Sequence, residues 1–148
     1  MVTMDFIEIT SPEGQLAEPL WLAKAESVHR ELRHQLCADY AAHMQRVFAG
    51  GARMVVAAKN GAVLGVAVWR AFENTYAGLH LYVDDLVTEE ASRSSGVGHA
   101  LLEWLAGKAR ELGASSLALD SGTQRMDAHR FYLRERFDIT SFHFRKPL

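Results

Sequence analysis

The chain has a single cysteine, Cys37, so it cannot form an intramolecular disulfide, and nothing in its thiol content calls for an oxidising compartment. Following a helical segment, that thiol is expected to be a buried structural group rather than a nucleophile. Positive charge is not in excess: 16 Lys and Arg stand against 18 Asp and Glu, a formal net charge of -2. A surface built to neutralise a nucleic-acid backbone would need a basic face, so no nucleic-acid partner is expected. No apolar run approaches the roughly 20 residues of a membrane span, and the N-terminus has no basic segment followed by an apolar core. A cytoplasmic protein with no membrane partner is therefore expected. A metal motif is also missing: His29 and His34 are five apart, off the i,i+4 spacing that puts two ligands on one helical face.

What is present reads as one domain, 1–148, with ordinary globular composition at 49% hydrophobic and 23% charged residues. Met4 to Ile9 alternates as a first strand, broken by Ser11-Pro12-Glu13-Gly14. Glu18 to Leu36 and Ala38 to Ala49 carry helical apolar spacing, the second stopped by Gly50-Gly51. Arg53 to Ala58 and Ala62 to Trp69 are strand-length apolar runs around an Asn60-Gly61 pair that favours a tight hairpin. Arg70 to Gly78 reads as a polar, aromatic loop and Leu79 to Thr88 as the next strand. Gly96 to Leu112 is a helix closed by Gly113 as a left-handed cap. Ser115 to Leu119 follows as a short strand, Asp127 to Glu135 as a helix and Ile139 to Phe144 as a last strand. The passage from Leu79 to Leu119 needs a crossover, so those two strands should be parallel neighbours in a mostly antiparallel sheet.

The most informative stretch joins that strand to its helix: Arg93-Ser94-Ser95-Gly96-Val97-Gly98. It brings two glycines and a run of backbone amides to the first turn of a helix, where free N–H groups and the positive end of the dipole converge on an anion. A lysine-bearing phosphate loop would need Lys and Ser or Thr after the last glycine, where His99-Ala100 stand. A dinucleotide fingerprint would need a small residue at Leu101 and an all-parallel repeat.

Arg93-x-x-Gly96-x-Gly98, after a strand ending Leu86-Val87-Thr88 and before Phe131-Tyr132, resembles the pyrophosphate motif of the GNAT superfamily of acyl-CoA-dependent N-acyltransferases. The family pattern is Arg or Gln, two residues, Gly, one residue, Gly or Ala. The resemblance implies an α/β fold: a central, mixed, mostly antiparallel twisted sheet of about six or seven strands with helices on both faces. It further implies transfer of the acetyl group of acetyl-CoA, bound as acyl-donor cosubstrate without a metal, to a primary amine of a small molecule by direct attack. Leu86, Val87 and Thr88 would pair with the pantetheine arm like an added strand. Arg93, Ser94, Ser95, Gly96, Val97, Gly98 and His99 would hold the pyrophosphate.

Ala128-His129-Arg130-Phe131-Tyr132 matches the family's Ala-x-x-Phe-Tyr helix, whose tyrosine serves as general acid to the leaving thiolate, implicating Tyr132. Two departures stand out: Arg125 where Asn is common, and Arg136 where Gly usually precedes Phe137. For the base, Tyr82-Val83-Asp84-Asp85-Leu86-Val87 resembles the strand of polyamine-acetylating members, whose first carboxylate helps take the amine's proton. That implicates Asp84, and a bulge would exchange the faces and make Asp85 the rival. His80, four residues before Asp84, is expected to be a satisfied strand histidine, with an acceptor-side partner as the alternative, and Glu73, Asn74 and Tyr76 would line the acceptor side. A catalytically inactive CoA-binding module, a protein-modifying enzyme and a homodimer are all left open.

Overall fold

The computed structural model describes residues 3–148 and divides them into two compact units, one running to Ala118 and one starting at Leu119. In the first unit, β1 (Asp5–Glu8), β2 (Arg53–Lys59), β3 (Ala62–Asn74) and β4 (Gly78–Thr88) pair antiparallel in sequence order. The hairpin between β2 and β3 turns where expected, with Asn60 and Gly61 both at positive φ, 52° and 80°. β5 (Leu117–Leu119) completes the sheet beside β4. Ser115 N–H donates to Leu79 O at 2.9 Å and Leu81 N–H to Ser116 O at 3.0 Å, so the two segments advance in the same sense and the sheet is mixed.

Helices α1 (Pro19–Leu32) and α2 (Tyr40–Ala49) bury Leu22, Ala25, Val28, Met44 and Phe48 in one cluster with Met54, Val56, Val66 and Val68. Pro19 begins α1, where its missing N–H would have had no helical partner, and Asp39 Oδ1 caps α2 by accepting from Ala42 N–H at 3.1 Å. Helix α3 (Val97–Glu111) lies against Gly65 of β3, and Gly113 beyond its end takes φ 79° as the left-handed cap. A Cβ at Gly65 would stand 2.8 Å from Leu101 Cδ1, 2.8 Å from Val97 Cγ1 and 3.2 Å from Val87 O. Gly65 therefore lets the start of α3 sit close to the sheet. Gly65→Ala should lower stability by roughly 1–3 kcal/mol, the usual overpacking range. Urea unfolding checks this, and an unchanged midpoint would mean that α3 shifts freely.

Several expectations are corrected. The first strand is shorter than Met4 to Ile9, α1 ends at Leu32 rather than Leu36, and β3 runs on through most of the expected loop to Asn74. That extension pairs Arg70 with Tyr82 and Phe72 with His80, whose rings meet edge to face at 4.4 Å. Cys37 lies beyond α1 and is exposed, because the helix stops before reaching it. The second unit contains α4 (Met126–Arg134), but Ile139 to Phe144 forms no strand, so the described sheet has five strands rather than six or seven.

Candidate active site

The strand-to-helix turn has the shape of an anion cradle. After Thr88, a short 3-10 turn over Glu90–Ser92 is pinned to α1 by Glu90 N–H donating to Glu31 Oε1 at 2.9 Å. Ser94 takes φ 66° and Gly96 φ 92° with ψ 5°, and Ser95 Oγ donates to Ser92 O. Gly96 has open space where a Cβ would be, so its requirement is conformational: left-handed backbone that any other residue adopts with strain. The first intrahelical bond of α3 is from Ala100 N–H to Gly96 O, at 3.0 Å. The amides of Val97 and Gly98 come before it, no side chain caps them, and no acidic residue stands in the first turn. A helix start with its dipole uncompensated on all these counts suits a bound anion. Arg93, mostly exposed, has its guanidinium Nη2 3.7 Å from Glu31 Oε1.

On β4, the ladder to β3 pairs Val68 with Asp85 and Trp69 with Val83, leaving Asp84 as the extra residue of a bulge. Strand alternation breaks there, so Val83 and Asp85 no longer share a face. The two aspartates lead different lives. Asp84 accepts from Arg70 Nε and Nη2, both at 2.8 Å, in a bidentate pair with 29% of its side chain exposed. Asp85 is 14% exposed and closed in: Oδ2 is 2.7 Å from His29 Nε2, and Oδ1 accepts from Arg33 Nε at 2.7 Å. Arg33 Nη2 also donates to Asp84 O at 2.9 Å. Burial alone would push the Asp85 carboxyl up, but hydrogen bonds and charge from His29 and Arg33 outweigh it and hold it below the usual carboxylate range.

His29, 1% exposed, continues the network to Tyr40, with Nδ1 2.8 Å from the Tyr40 hydroxyl. An ionised Asp85 fixes the proton on Nε2, so in the neutral ring Nδ1 accepts from Tyr40. Burial, followed by the charges of Glu26 and Asp85, pushes the Tyr40 hydroxyl up. A cavity of about 230 Å³ opens beside this network, lined in part by His29, Arg33, His43, Met44 and Asp85. His80 is buried with Nδ1 3.0 Å from Gly78 O, a satisfied strand histidine. Tyr76 is exposed, while Asn74 Oδ1 accepts from the amides of Tyr76 and Ala77 and holds the β3–β4 turn.

In the second unit, Tyr132 lies on α4 and is 9% exposed, its ring 5.4 Å from Phe131 and 5.8 Å from Phe137. Burial pushes its hydroxyl above the ordinary tyrosine range, against a smaller opposing pull from Arg125 through charge and a hydrogen bond. Sequence reasoning missed His29, Tyr40, Arg33 and Arg125 as members of these networks. Among the described residues no cluster of His, Cys, Asp and Glu could hold a metal ion, and no helix is long and apolar enough to cross a membrane.

Comparison with known proteins gives the turn and the two networks a context. The chain is 46% identical over 74 residues to YhdJ, an uncharacterized N-acetyltransferase of Bacillus subtilis, a match spanning 49% of this chain and 52% of that protein. It is 35% identical over 94 residues to an aminoalkylphosphonate N-acetyltransferase of Salmonella typhimurium, spanning 63% of this chain and 61% of the relative. The chain thus matches only about half to three-fifths of the length of these curated relatives. In fold it is similar to the aminoglycoside N-acetyltransferase AAC(6')-Iy solved in complex with CoA, with a TM-score of 0.79 at 14% identity over 99% of this chain and 96% of the other. Residues 16–137 match the model of the acetyltransferase (GNAT) family, and the chain belongs to that family.

Proposed function

We propose that the protein is an acetyl-CoA-dependent N-acetyltransferase acting on a primary amine of a small molecule. The observation that carries this reading is the uncapped start of α3 behind the left-handed Gly96, a fit for the pyrophosphate of CoA. Three or four amide bonds to a charged group, at roughly 1.5–3 kcal/mol each, would supply most of the roughly 8 kcal/mol of a micromolar complex. Ser94 and Ser95 lie in the loop before it, His99 in the first turn of α3, and Arg93, mostly exposed, adds charge. The backbone of Leu86, Val87 and Thr88 offers the edge on which the pantetheine arm would dock as an added strand. AAC(6')-Iy in complex with CoA supports the cosubstrate by analogy of fold, and the aminoalkylphosphonate enzyme supports a small amine acceptor.

Acetyl-CoA supplies a thioester carbonyl open to direct attack. As the new C–N bond forms and the C–S bond breaks, the amine must lose a proton and the thiolate gain one. Tyr132, kept protonated by burial, is the donor to sulfur. Between the two carboxylates, Asp84 is the better acceptor of the amine's proton, directly or through water. Its side chain is the more exposed, 29% against 14%, and its partner Arg70 is itself 40% exposed, whereas Asp85 is closed in between His29 and Arg33 with a depressed affinity for protons. A reduced, cytoplasmic setting suits the lone exposed thiol of Cys37.

A panel of primary amines, with release of free CoA thiol as readout, tests this function. Amine-dependent thiol release and a mass gain of one acetyl group on the acceptor are expected. Tight CoA binding with no thioester consumption on any amine or peptide would instead make the protein a binding module.

A further inference from the structure

The two carboxylates of β4 do not add up to an acidic site. Arg70 meets Asp84 in its bidentate pair, and Arg33 meets Asp85 with Nη2 2.6 Å from Oδ1, so two arginines cancel two aspartates. His29 has both ring nitrogens engaged, by Asp85 and by Tyr40, and as the neutral ring it adds no charge. Glu26, on the same helix, is already paired with Arg30 at 2.8 Å. Over these groups the charges sum to zero. An acceptor carrying two ammonium groups would find no carboxylate left without a partner.

What the network leaves over is donors. Arg33 commits Nε to Asp85 and Nη2 to Asp85 and Asp84 O, whereas Nη1 has no partner among the described residues and the side chain is 41% exposed. His43 Nδ1 accepts from Cys37 N–H at 3.3 Å, which puts the proton of the neutral ring on Nε2. Gln35, exposed, brings a side-chain amide. All three line the cavity beside Asp85, and Leu36 and Met44 give it apolar walls. Low-dielectric walls strengthen a charge-assisted hydrogen bond, and a guanidinium with spare N–H groups suits an oxyanion. Asp84 is close by, because Arg33 Nη2 donates to its carbonyl oxygen at 2.9 Å. One small molecule can therefore span from the Asp84 carboxylate to the Arg33 guanidinium.

We infer that the acceptor carries an oxyanion group on a short spacer from its amine, with the ammonium at Asp84 and the anion at Arg33, Gln35 and His43. This rests on the reading of the protein as an N-acetyltransferase with Asp84 on the amine's side, and it names the class of acceptor. Such a zwitterion is neutral overall, as the site is, and brings each of its charges to an opposite one. A second ammonium in the anion's place would meet Arg33 with nothing to offset it. Arg33 is then a specificity residue and takes no part in proton transfer.

The test compares kcat/KM, from release of free CoA thiol, for propylamine, 1,3-diaminopropane, β-alanine, taurine and 2-aminoethylphosphonate. The last three separate carboxylate, sulfonate and phosphonate as the form of the anion. The best of them should exceed both propylamine and the diamine by about tenfold or more, the equivalent of one hydrogen bond to a charged group. Arg33→Gln removes the guanidinium, and Gln35→Glu puts a carboxylate at an exposed position of the cavity without touching the buried network. Each should cut that preference by about tenfold, chiefly through KM. A preference below tenfold, or one that neither variant lowers, would overturn the inference while amine-dependent thiol release still upheld the enzymatic reading. Thiol release from none of the five would count against the enzymatic reading, and calorimetry on the CoA-saturated protein then decides the anion site. Binding of all three anionic amines no tighter than propylamine would overturn it, and tighter binding that Arg33→Gln abolishes would uphold it.

Discussion

Tyr132→Phe is expected to lower turnover by roughly 10²-fold or more while acetyl-CoA binds almost as well as before. The lower figure is the modest end of what one positioned acid contributes. The substitution removes only the hydroxyl: the ring keeps its neighbours Phe131 and Phe137, so α4 should not loosen. What is lost is a proton source that burial keeps protonated at neutral pH. Without a donor the sulfur has to leave as the bare thiolate, whereas a positioned hydroxyl supplies the proton as the C–S bond breaks. The loss should therefore fall on kcat, with the Kd for acetyl-CoA, read by calorimetry, changing less than about threefold. Turnover within a few-fold of the parent on a saturating amine would remove Tyr132 from the acid role. Because the hydroxyl also meets Arg125, the variant Arg125→Gln is the control. It should change the alkaline limb of the rate profile without abolishing turnover.

The parts of this fold legible in the sequence are those written in local patterns. Asn60-Gly61 dictates its hairpin because both positions need positive φ, and Gly113 ends α3 for the same reason. The glycine turn was readable because Gly96 answers a backbone demand. Arg136 shows the limit of that logic. It stands at φ 68°, where a glycine would be at ease, and the turn after α4 closes against that preference through Arg136 N–H to Leu133 O at 3.1 Å and Phe137 N–H to Tyr132 O at 3.0 Å.

Pairings between distant residues were not legible. Arg70 to Asn74 looked like a loop because it mixes charge and aromatics, whereas Arg70 lies over the ring of Tyr82 and pairs with Asp84 across the ladder. Arg33 is one of several charged residues at the end of α1, with nothing local to set it apart, yet it reaches Asp85 on another element. His29 did carry a signal. It follows Leu22 and Ala25 at i, i+3 and i+7, on the stripe that faces the core, where a polar residue has to find a partner. Nothing local says which partner it finds. The last strand failed differently: its alternation is real, yet residues 138–148 take up no regular structure.

Asp85→Asn is expected to reduce stability by about 3 kcal/mol and to leave turnover within several-fold of the parent at temperatures well below unfolding. Removing one partner from a buried ion pair costs roughly 3–5 kcal/mol, because the remaining group stays buried without its counter-charge. Here the lower end applies, since Arg33 is 41% exposed and can be rehydrated, whereas His29 is 1% exposed and cannot. The pH dependence gives the assignment a signature. The folded state holds the Asp85 carboxyl below its ordinary value near 3.9, so the unfolded chain binds its proton first as pH falls. Stability then rises with pH through that window. The contribution is fully present above the unfolded value and is lost as pH drops through the folded one. Chemical unfolding of parent and variant from pH 7 down to about pH 3 should therefore show the gap between them narrowing toward acid. Asp84→Asn should do the reverse. It opens a half-exposed bidentate pair with Arg70, leaves stability within about 1 kcal/mol, and lowers turnover at neutral pH much more than Asp85→Asn does. If Asp85→Asn abolishes turnover in a folded protein while Asp84→Asn spares it, the two carboxylates exchange roles, and the His29–Tyr40 chain becomes the path of the proton.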